Sequence, residues 1–183
     1  MTIILDPGHG MANRRPGVFD PGAVSNGIRE ADIALDWTNT LRAILIGRGH
    51  SVIRTRIDHT DPCPVGRRAT IARQYAGEIM ISFHCNAATG EAHGTETFYR
   101  GKENAPTATA LNIAVVEALG TRNRGPKTEN ASQHARLAIM SFQPCFLIEL
   151  GFIDHPGDRE KMLDPHLRLQ ACTSLASVIL RTP

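Results

Sequence analysis

Three runs of apolar residues constrain the fold of this chain more than any other feature. They occupy residues 3–5, 79–83 and 145–148, and each is nearly continuous in apolar side chains. Such runs are typical of short strands that are buried on both faces of a sheet. Helical patterns lie between them, and strands that alternate with helices indicate parallel pairing. The sequence therefore predicts an α/β fold: a twisted, mostly parallel but mixed sheet of about six strands, with helices on both faces.

Periodic patterns locate the remaining elements. One apolar stripe predicts an amphipathic helix that has Glu30 in its first turn. The stripe consists of Ile33, Trp37, Leu41 and Leu45. Further helices are predicted over residues 65–76, 104–119 and 158–163 and from residue 165 onward. Strands are also predicted over residues 51–55 and 94–99, the latter antiparallel or at an edge. Residues 10–28 and 120–133 are predicted to be loops, and residues 135–141 fit no single pattern.

The composition argues against some classes of function. The 183 residues carry a net charge of only +2, so we expect no nucleic-acid partner. No apolar stretch approaches the roughly 20 residues that a membrane helix requires, and the first residues do not resemble a secretory signal. The four cysteines have no CxxC spacing, and we expect them to be reduced. The length predicts a single domain over residues 1–183, which we expect to be a monomer.

Polar residues follow the three apolar runs at equivalent positions. His9 comes just after the first run, His84 directly after the second and Glu149 directly after the third. The carboxyl ends of parallel strands lie along one edge of a sheet, where ligands bind in open α/β folds. Glu30 begins the helix that follows the first strand and its loop, which belongs to the same edge. We therefore expect two imidazoles and two carboxylates to converge there.

Two histidines and one carboxylate form a common catalytic zinc set, with a fourth coordination position left for water. The second carboxylate would then act as a general base, and the pair would suit hydrolysis of an unreactive amide. Position alone does not decide whether Glu30 or Glu149 is the ligand. The four residues are far apart in the chain and lack the tight spacing of an HExxH motif.

Four other side chains are candidates for supporting roles near this edge. Asp6 either orients the His9 ring or only shapes its turn. Asn86 either holds the loop after His84 or contacts a substrate, and Glu96 is a candidate for a further carboxylate in the cleft. Arg68, on a helix face, is expected to pair with a buried carboxylate. All four are candidates for positions beside the metal or the substrate.

Further polar residues fall on predicted loops. Arg124 and Lys127 either contact carboxylates of a peptide substrate or belong to a solvated loop. The histidines outside the proposed site are expected to be surface or turn residues. Of these, His93 and His134 lie in loops that would border the cleft.

Eight short blocks occur in an order that resembles a known family. They are Ile-Leu-Asp-Pro-Gly-His-Gly at 4–10, Asp-Pro-Gly-Ala at 20–23, Gly-Ile-Arg-Glu at 27–30, Thr-Arg at 55–56, Ile-Ser-Phe-His-Cys-Asn-Ala at 81–87, Gly-Thr-Glu-Thr-Phe-Tyr at 94–99, Arg-Gly-Pro-Lys at 124–127 and Ile-Glu-Leu-Gly-Phe-Ile at 148–153. The chain closely resembles the zinc-dependent N-acetylmuramoyl-L-alanine amidases called amidase type 3. The resemblance runs from about residue 2 to residue 163.

The resemblance implies a phosphorylase/hydrolase-like fold and cleavage of the amide between the lactyl group of N-acetylmuramic acid and L-alanine in peptidoglycan. It implies His9, Glu30 and His84 as ligands of Zn²⁺ and Glu149 as the catalytic glutamate. The chain departs from the family pattern in a longer loop over residues 10–20, at Arg73 and Cys85, and over residues 133–141.

Without a visible signal peptide, we expect a protein made in the cytoplasm that acts on the cell wall. A phage or prophage endolysin released by a lysis system fits this expectation, as does loss of an export signal or a wall-binding module from the sequence. A metallopeptidase of related fold and a non-catalytic peptidoglycan-binding protein are the alternatives. The second alternative would require a lost ligand or base, and all four candidates are present.

Overall fold

The computed structural model describes residues 1–89, 91–132 and 136–182. Its centre is a six-stranded sheet. In chain order the strands are β1 (Thr2–Pro7), β2 (Ser51–Arg54), β3 (Ile79–Asn86), β4 (Thr95–Tyr99), β5 (Asn123–Thr128) and β6 (Cys145–Phe152). Across the sheet their order is β2-β1-β3-β6-β4-β5. Only the β6–β4 pair is antiparallel, so the predicted mixed, mostly parallel sheet is confirmed.

Five helices pack on the sheet. They are α1 (Glu30–Gly47), α2 (Val65–Gln74), α3 (Ala105–Leu119), α4 (Pro156–Leu163) and α5 (Pro165–Ile179). The alternation of side chains along β1 shows how the two faces are used. Ile3 and Leu5 join the core formed with α1, α3 and α5, whereas Ile4 joins the core formed with α2. The predicted helices on both faces are therefore confirmed, and no helix of the described residues has the length and apolarity of a membrane span.

The structure differs from the sequence-based prediction mainly in the loops. Residues 123–128, predicted as part of a loop, form the edge strand β5. Gly125 and Pro126 interrupt the alternating pattern that would predict a strand here. An edge strand tolerates proline because one side of its backbone needs no hydrogen-bond partner. The long segment 10–28 contains two short antiparallel pairs, Gly10–Met11 with Phe19–Asp20 and Val24–Ser25 with Ile28–Arg29.

Two ambiguous regions are also resolved. The strand predicted over residues 94–99 is β4, and it runs antiparallel to β6. Ala138–Ser141 forms a short 3₁₀ helix that packs on the core beneath α2. The four cysteines are free and buried, in agreement with their predicted reduced state.

Candidate active site

The carboxyl edge of the parallel strands brings the four predicted residues together. His9 lies two residues beyond β1, and His84 lies near the end of β3. Glu149 on β6 is the direct register partner of His84. Glu30 is the first residue of α1, where the chain returns to this edge after the long loop. All four line one cleft of about 840 Å³.

His9, Glu30 and His84 form the centre of the site. Glu30 Oε1 lies 3.0 Å from His9 Nε2 and 2.8 Å from His84 Nδ1. One donor atom from each of the three residues lies within 4.8 Å of the other two. Two imidazole nitrogens and a carboxylate oxygen this close together can hold a divalent metal ion.

Backbone groups fix the orientation of the Glu30 carboxylate. The N–H of Ala23 donates to Oε2 at 2.9 Å, and the N–H of Cys85 donates to Oε1 at 3.0 Å. Burial alone would raise the pKa of Glu30, but hydrogen bonds from His84 and His9 hold the pKa well below its usual range. The carboxylate is therefore ionised and aimed between the two rings.

Two glycines lie against the side chains of His9, Glu30 and His84, and their lack of a Cβ makes room for these side chains. A Cβ at Gly22 would lie 2.5 Å from Glu30 Oε2 and 2.7 Å from His9 Cδ2. A Cβ at Gly8 would lie 2.5 Å from the His84 ring. Gly22 also has a φ of +68°, which a residue with a side chain rarely adopts. Substitution at either glycine would therefore displace a candidate metal ligand.

Asp20 orients the His9 ring. Its Oδ2 lies 3.0 Å from His9 Nδ1 and accepts a hydrogen bond from Asn13 Nδ2 at 2.7 Å, while Oδ1 accepts from the Gly22 N–H at 3.0 Å. Burial opposes ionisation of Asp20, but these hydrogen bonds lower the pKa of its carboxyl to about 2. The carboxylate can therefore accept the Nδ1 proton, and this contact directs Nε2 toward Glu30. Sequence reasoning did not assign this role to Asp20, although the Asp-Pro-Gly-Ala block contains it.

We expect Asp20→Asn to weaken binding of a divalent metal ion by about 10–100-fold, because an amide no longer fixes the tautomer and orientation of His9. Competition of the purified variant against a chromogenic chelator measures this affinity. Asp36→Asn is the matched control, since Asp36 is exposed and its nearest cation, Arg168, is 3.7 Å away. Equal metal affinity in Asp20→Asn and the wild type would show that Asp20 has no part in the site.

Asp6 does not contact the His9 ring, so the orienting role considered for it belongs to Asp20. It is fully buried and accepts hydrogen bonds from Thr55, Arg68 and Ser82. Burial alone would raise the pKa of Asp6, but these three partners hold that pKa below its usual value. The alternative reading, that Asp6 shapes the turn before His9, agrees with these contacts.

Arg68 pairs with the buried carboxylate of Asp6 at 2.6 Å, as expected from the sequence. Its other donors reach the carbonyls of Pro7 and His9 at 2.9 and 2.7 Å. A second buried arginine, Arg56, donates to the carbonyls of Pro7 and Gly8 at 3.1 and 2.9 Å. These charge-assisted bonds hold the turn in which His9 adopts a left-handed φ of 59°. The two arginines therefore stabilise the turn that carries His9, and Arg68 also lines the cleft.

Glu149 lies beside the three central residues, and although the residue is partly exposed, its Oε2 is buried. Among the described residues, its Oε2 has no hydrogen-bond partner. Burial, together with the negative charges of Glu30 and Glu96, raises the pKa of Glu149 well above its usual value. A buried carboxylate with an unused oxygen beside a metal-binding trio is a candidate proton carrier.

Glu96 and Asn86 belong to a polar cluster on the cleft wall. Asn86 Nδ2 donates to Glu96 Oε1 at 3.0 Å, so it holds the carboxylate rather than the loop after His84. Arg124 and Lys127 both donate to Glu96 Oε2, each at 2.6 Å. The loop predicted to carry these cations is the strand β5, and both cations line the cleft.

Of the two loop histidines considered for the cleft, His93 is not among the described residues that line it. The ring of His93 stacks on that of His155, with centroids 5.0 Å apart. His134 lies outside the described residues.

Comparisons with known proteins agree with this geometry. The family model of N-acetylmuramoyl-L-alanine amidase, amidase type 3, matches residues 3–181. An uncharacterized cell wall amidase of Bacillus anthracis is 31% identical over 98% of this chain and 35% of its own length. The germination-specific N-acetylmuramoyl-L-alanine amidase of Bacillus subtilis is 30% identical over 98% of this chain and 78% of its own length. This chain thus spans about a third of the first relative and most of the second.

A solved structure carries the same fold. The crystal structure of N-acetylmuramoyl-L-alanine amidase from Clostridium difficile 630 is 25% identical, covers 98% of this chain and 94% of its own, and superposes with a TM-score of 0.83. The family match extends over nearly the whole chain and includes His9, Glu30, His84 and Glu149. This chain therefore belongs to the amidase type 3 family of N-acetylmuramoyl-L-alanine amidases.

Proposed function

We propose that this chain is a zinc-dependent hydrolase of the amide bond between the lactyl group of N-acetylmuramic acid and L-alanine in peptidoglycan. The observation that carries the proposal is the convergence of His9, Glu30 and His84 within 4.8 Å, next to the buried and unpartnered Oε2 of Glu149. Membership of the amidase type 3 family supplies the bond and the substrate class.

The residues present fit a zinc ion. His9 Nε2, His84 Nδ1 and Glu30 are nitrogen and oxygen donors of the kinds that catalytic zinc sites use, with a position left over for water. Asp20 accepts from the far side of the His9 ring, which is the partner that metal-bound histidines usually have. Bound there, zinc would supply Lewis acidity and lower the pKa of a bound water to about 7.

The contacts also favour distinct roles for the two glutamates. Glu30 is ionised and aimed between the imidazoles, which suits a ligand. Glu149 has a free oxygen and a raised pKa, which suits a group that takes a proton from the attacking water and passes it to the leaving amine. A positioned base of this kind contributes about 10²–10⁴ in rate.

We propose that residues 1–183 form one catalytic domain that acts on cell-wall peptidoglycan as a monomer. Cytoplasmic synthesis and an origin as a phage or prophage endolysin remain predictions from the sequence. Membership of the amidase family supports a cell-wall substrate. The cleft that contains the site has a volume of about 840 Å³.

Product analysis tests the reaction directly. We expect purified peptidoglycan treated with the protein to release new amino-terminal alanine without new reducing sugar, and zymograms to show clearing. The Glu149→Gln variant is the control for contaminating hydrolases. New reducing ends would indicate a glycosidase, and cleavage of plain peptides with the lactyl linkage left intact would indicate the metallopeptidase alternative.

A further inference from the structure

A second charged cluster lies one strand away from Glu149. Glu96 on β4 is the register partner of Glu149 on β6 and of Gly125 on β5. The Glu96 side chain is only 6% exposed, whereas those of Arg124 and Lys127 are 27% and 30% exposed. The two cationic side chains are therefore accessible from the cleft, whereas the carboxylate of Glu96 is buried behind them.

A β-bulge brings the two cations to the same point. The β4–β5 register shifts between Thr95 and Glu96, which leaves Arg124 as the extra residue opposite this step. Gly125 accommodates the irregularity with a φ of 78°. A bulge changes the direction of the side chains beside it. Here Arg124 and Lys127 both reach Glu96 Oε2 although they are three positions apart in the strand.

The cluster has more positive charge than its internal carboxylate neutralises. Arg124 and Lys127 contribute two cations, and Glu96 contributes one anion whose other oxygen is bonded to Asn86. The Arg124 guanidinium also lies over the Phe152 ring, 4.9 Å from its centroid. The surplus cation is thus held in place at the cleft wall before any ligand arrives, which lowers the entropic cost of binding an anion.

We propose that Arg124 and Lys127 form the subsite for a free carboxylate of the stem peptide, an inference that rests on the proposed function. The glycan and the lactyl amide are uncharged, whereas stem-peptide residues beyond L-alanine carry carboxylates. The pair therefore directs the peptide arm toward β4 and β5 and the glycan arm away from them. It also favours a second stem residue with a free α-carboxylate over the same residue with a carboxamide, because only the carboxylate gains charge-assisted hydrogen bonds.

Two muropeptides that differ only in this carboxylate or carboxamide test the inference. We expect the wild type to prefer the carboxylate form by about tenfold, through KM rather than kcat. Lys127→Met should reduce the ratio to near one, Lys127→Arg should retain it, and the matched control Lys102→Met, an exposed lysine outside the cleft, should leave it unchanged. A wild-type ratio near one, or a ratio that Lys127→Met leaves intact, would overturn the inference.

The inference and the proposed function can fail separately. Release of alanine amine from both muropeptides at equal rates would keep the function and remove the subsite. Release from neither would remove the function. In that case, the relative affinity of the Glu149→Gln variant for the two muropeptides, measured by calorimetry, decides the subsite: a preference of about tenfold for the carboxylate supports it, and equal affinity overturns it.

Discussion

Replacing Glu149 with glutamine is expected to lower kcat by about 10²–10⁴-fold while the protein keeps its metal. Glutamine has nearly the same shape but cannot take a proton from water at neutral pH. The metal should remain because His9, Glu30 and His84 are untouched, and the Glu149 Oε2 makes no hydrogen bond to any described residue. Rates of alanine release and zinc content by elemental analysis are the two measurements.

The same variant should fold at least as well as the wild type. Burial and the charges of Glu30 and Glu96 disfavour the ionised form of Glu149, so a neutral side chain removes a cost from the folded state. Glu160→Gln, on the exposed side of α4, is the matched control and should leave kcat and the melting temperature unchanged. Wild-type turnover in Glu149→Gln would remove Glu149 from the mechanism, and loss of zinc would reassign it as a ligand.

Replacing Glu30 with glutamine is expected to remove both the metal and the activity. Glu30 Oε1 lies within 3.0 Å of both imidazoles and is the only anionic member of the trio. A neutral amide at this position has a weaker oxygen donor and places an NH₂ group near the rings. The fall in zinc affinity should exceed the ~10–100-fold that is lost with a side chain that only orients a ligand.

Reconstitution distinguishes this loss from simple misfolding. A chelator should inactivate the wild type reversibly, so that added zinc restores activity to the stripped wild type but not to Glu30→Gln. Circular dichroism of both stripped proteins should show the same helix and strand content, and Glu160→Gln should be reconstituted like the wild type. Full zinc occupancy in Glu30→Gln would exclude Glu30 as a ligand.

The strand ends could be predicted because their physical cause is local. Continuous apolar runs indicate buried strands, and parallel strands bring the residues that follow them to one edge. These two rules are enough to predict that His9, His84 and Glu149 lie together at that edge. It could not separate the roles of Glu30 and Glu149, because that difference depends on which carboxylate lies between the rings.

The parts that sequence reasoning missed depend on tertiary contacts. Whether Asp6 or Asp20 reaches the His9 ring is decided by the path of residues 10–28, which fold back through two short strand pairs. The sequence of strand β5 contains a glycine and a proline and is typical of a loop, so its strand conformation depends on pairing with β4. Because that pairing is bulged, the convergence of Arg124 and Lys127 could not be predicted from an alternating pattern.

The central claim is that one zinc ion is held by two imidazoles and one carboxylate at the sheet edge. Anomalous diffraction from crystals of the active protein, recorded on both sides of the zinc absorption edge, tests it most directly. The account predicts a single peak within bonding distance of His9 Nε2, His84 Nδ1 and a Glu30 oxygen, with Glu149 close by but not bonded. A peak bound by a different set of residues, or full activity in crystals without a peak, would contradict it.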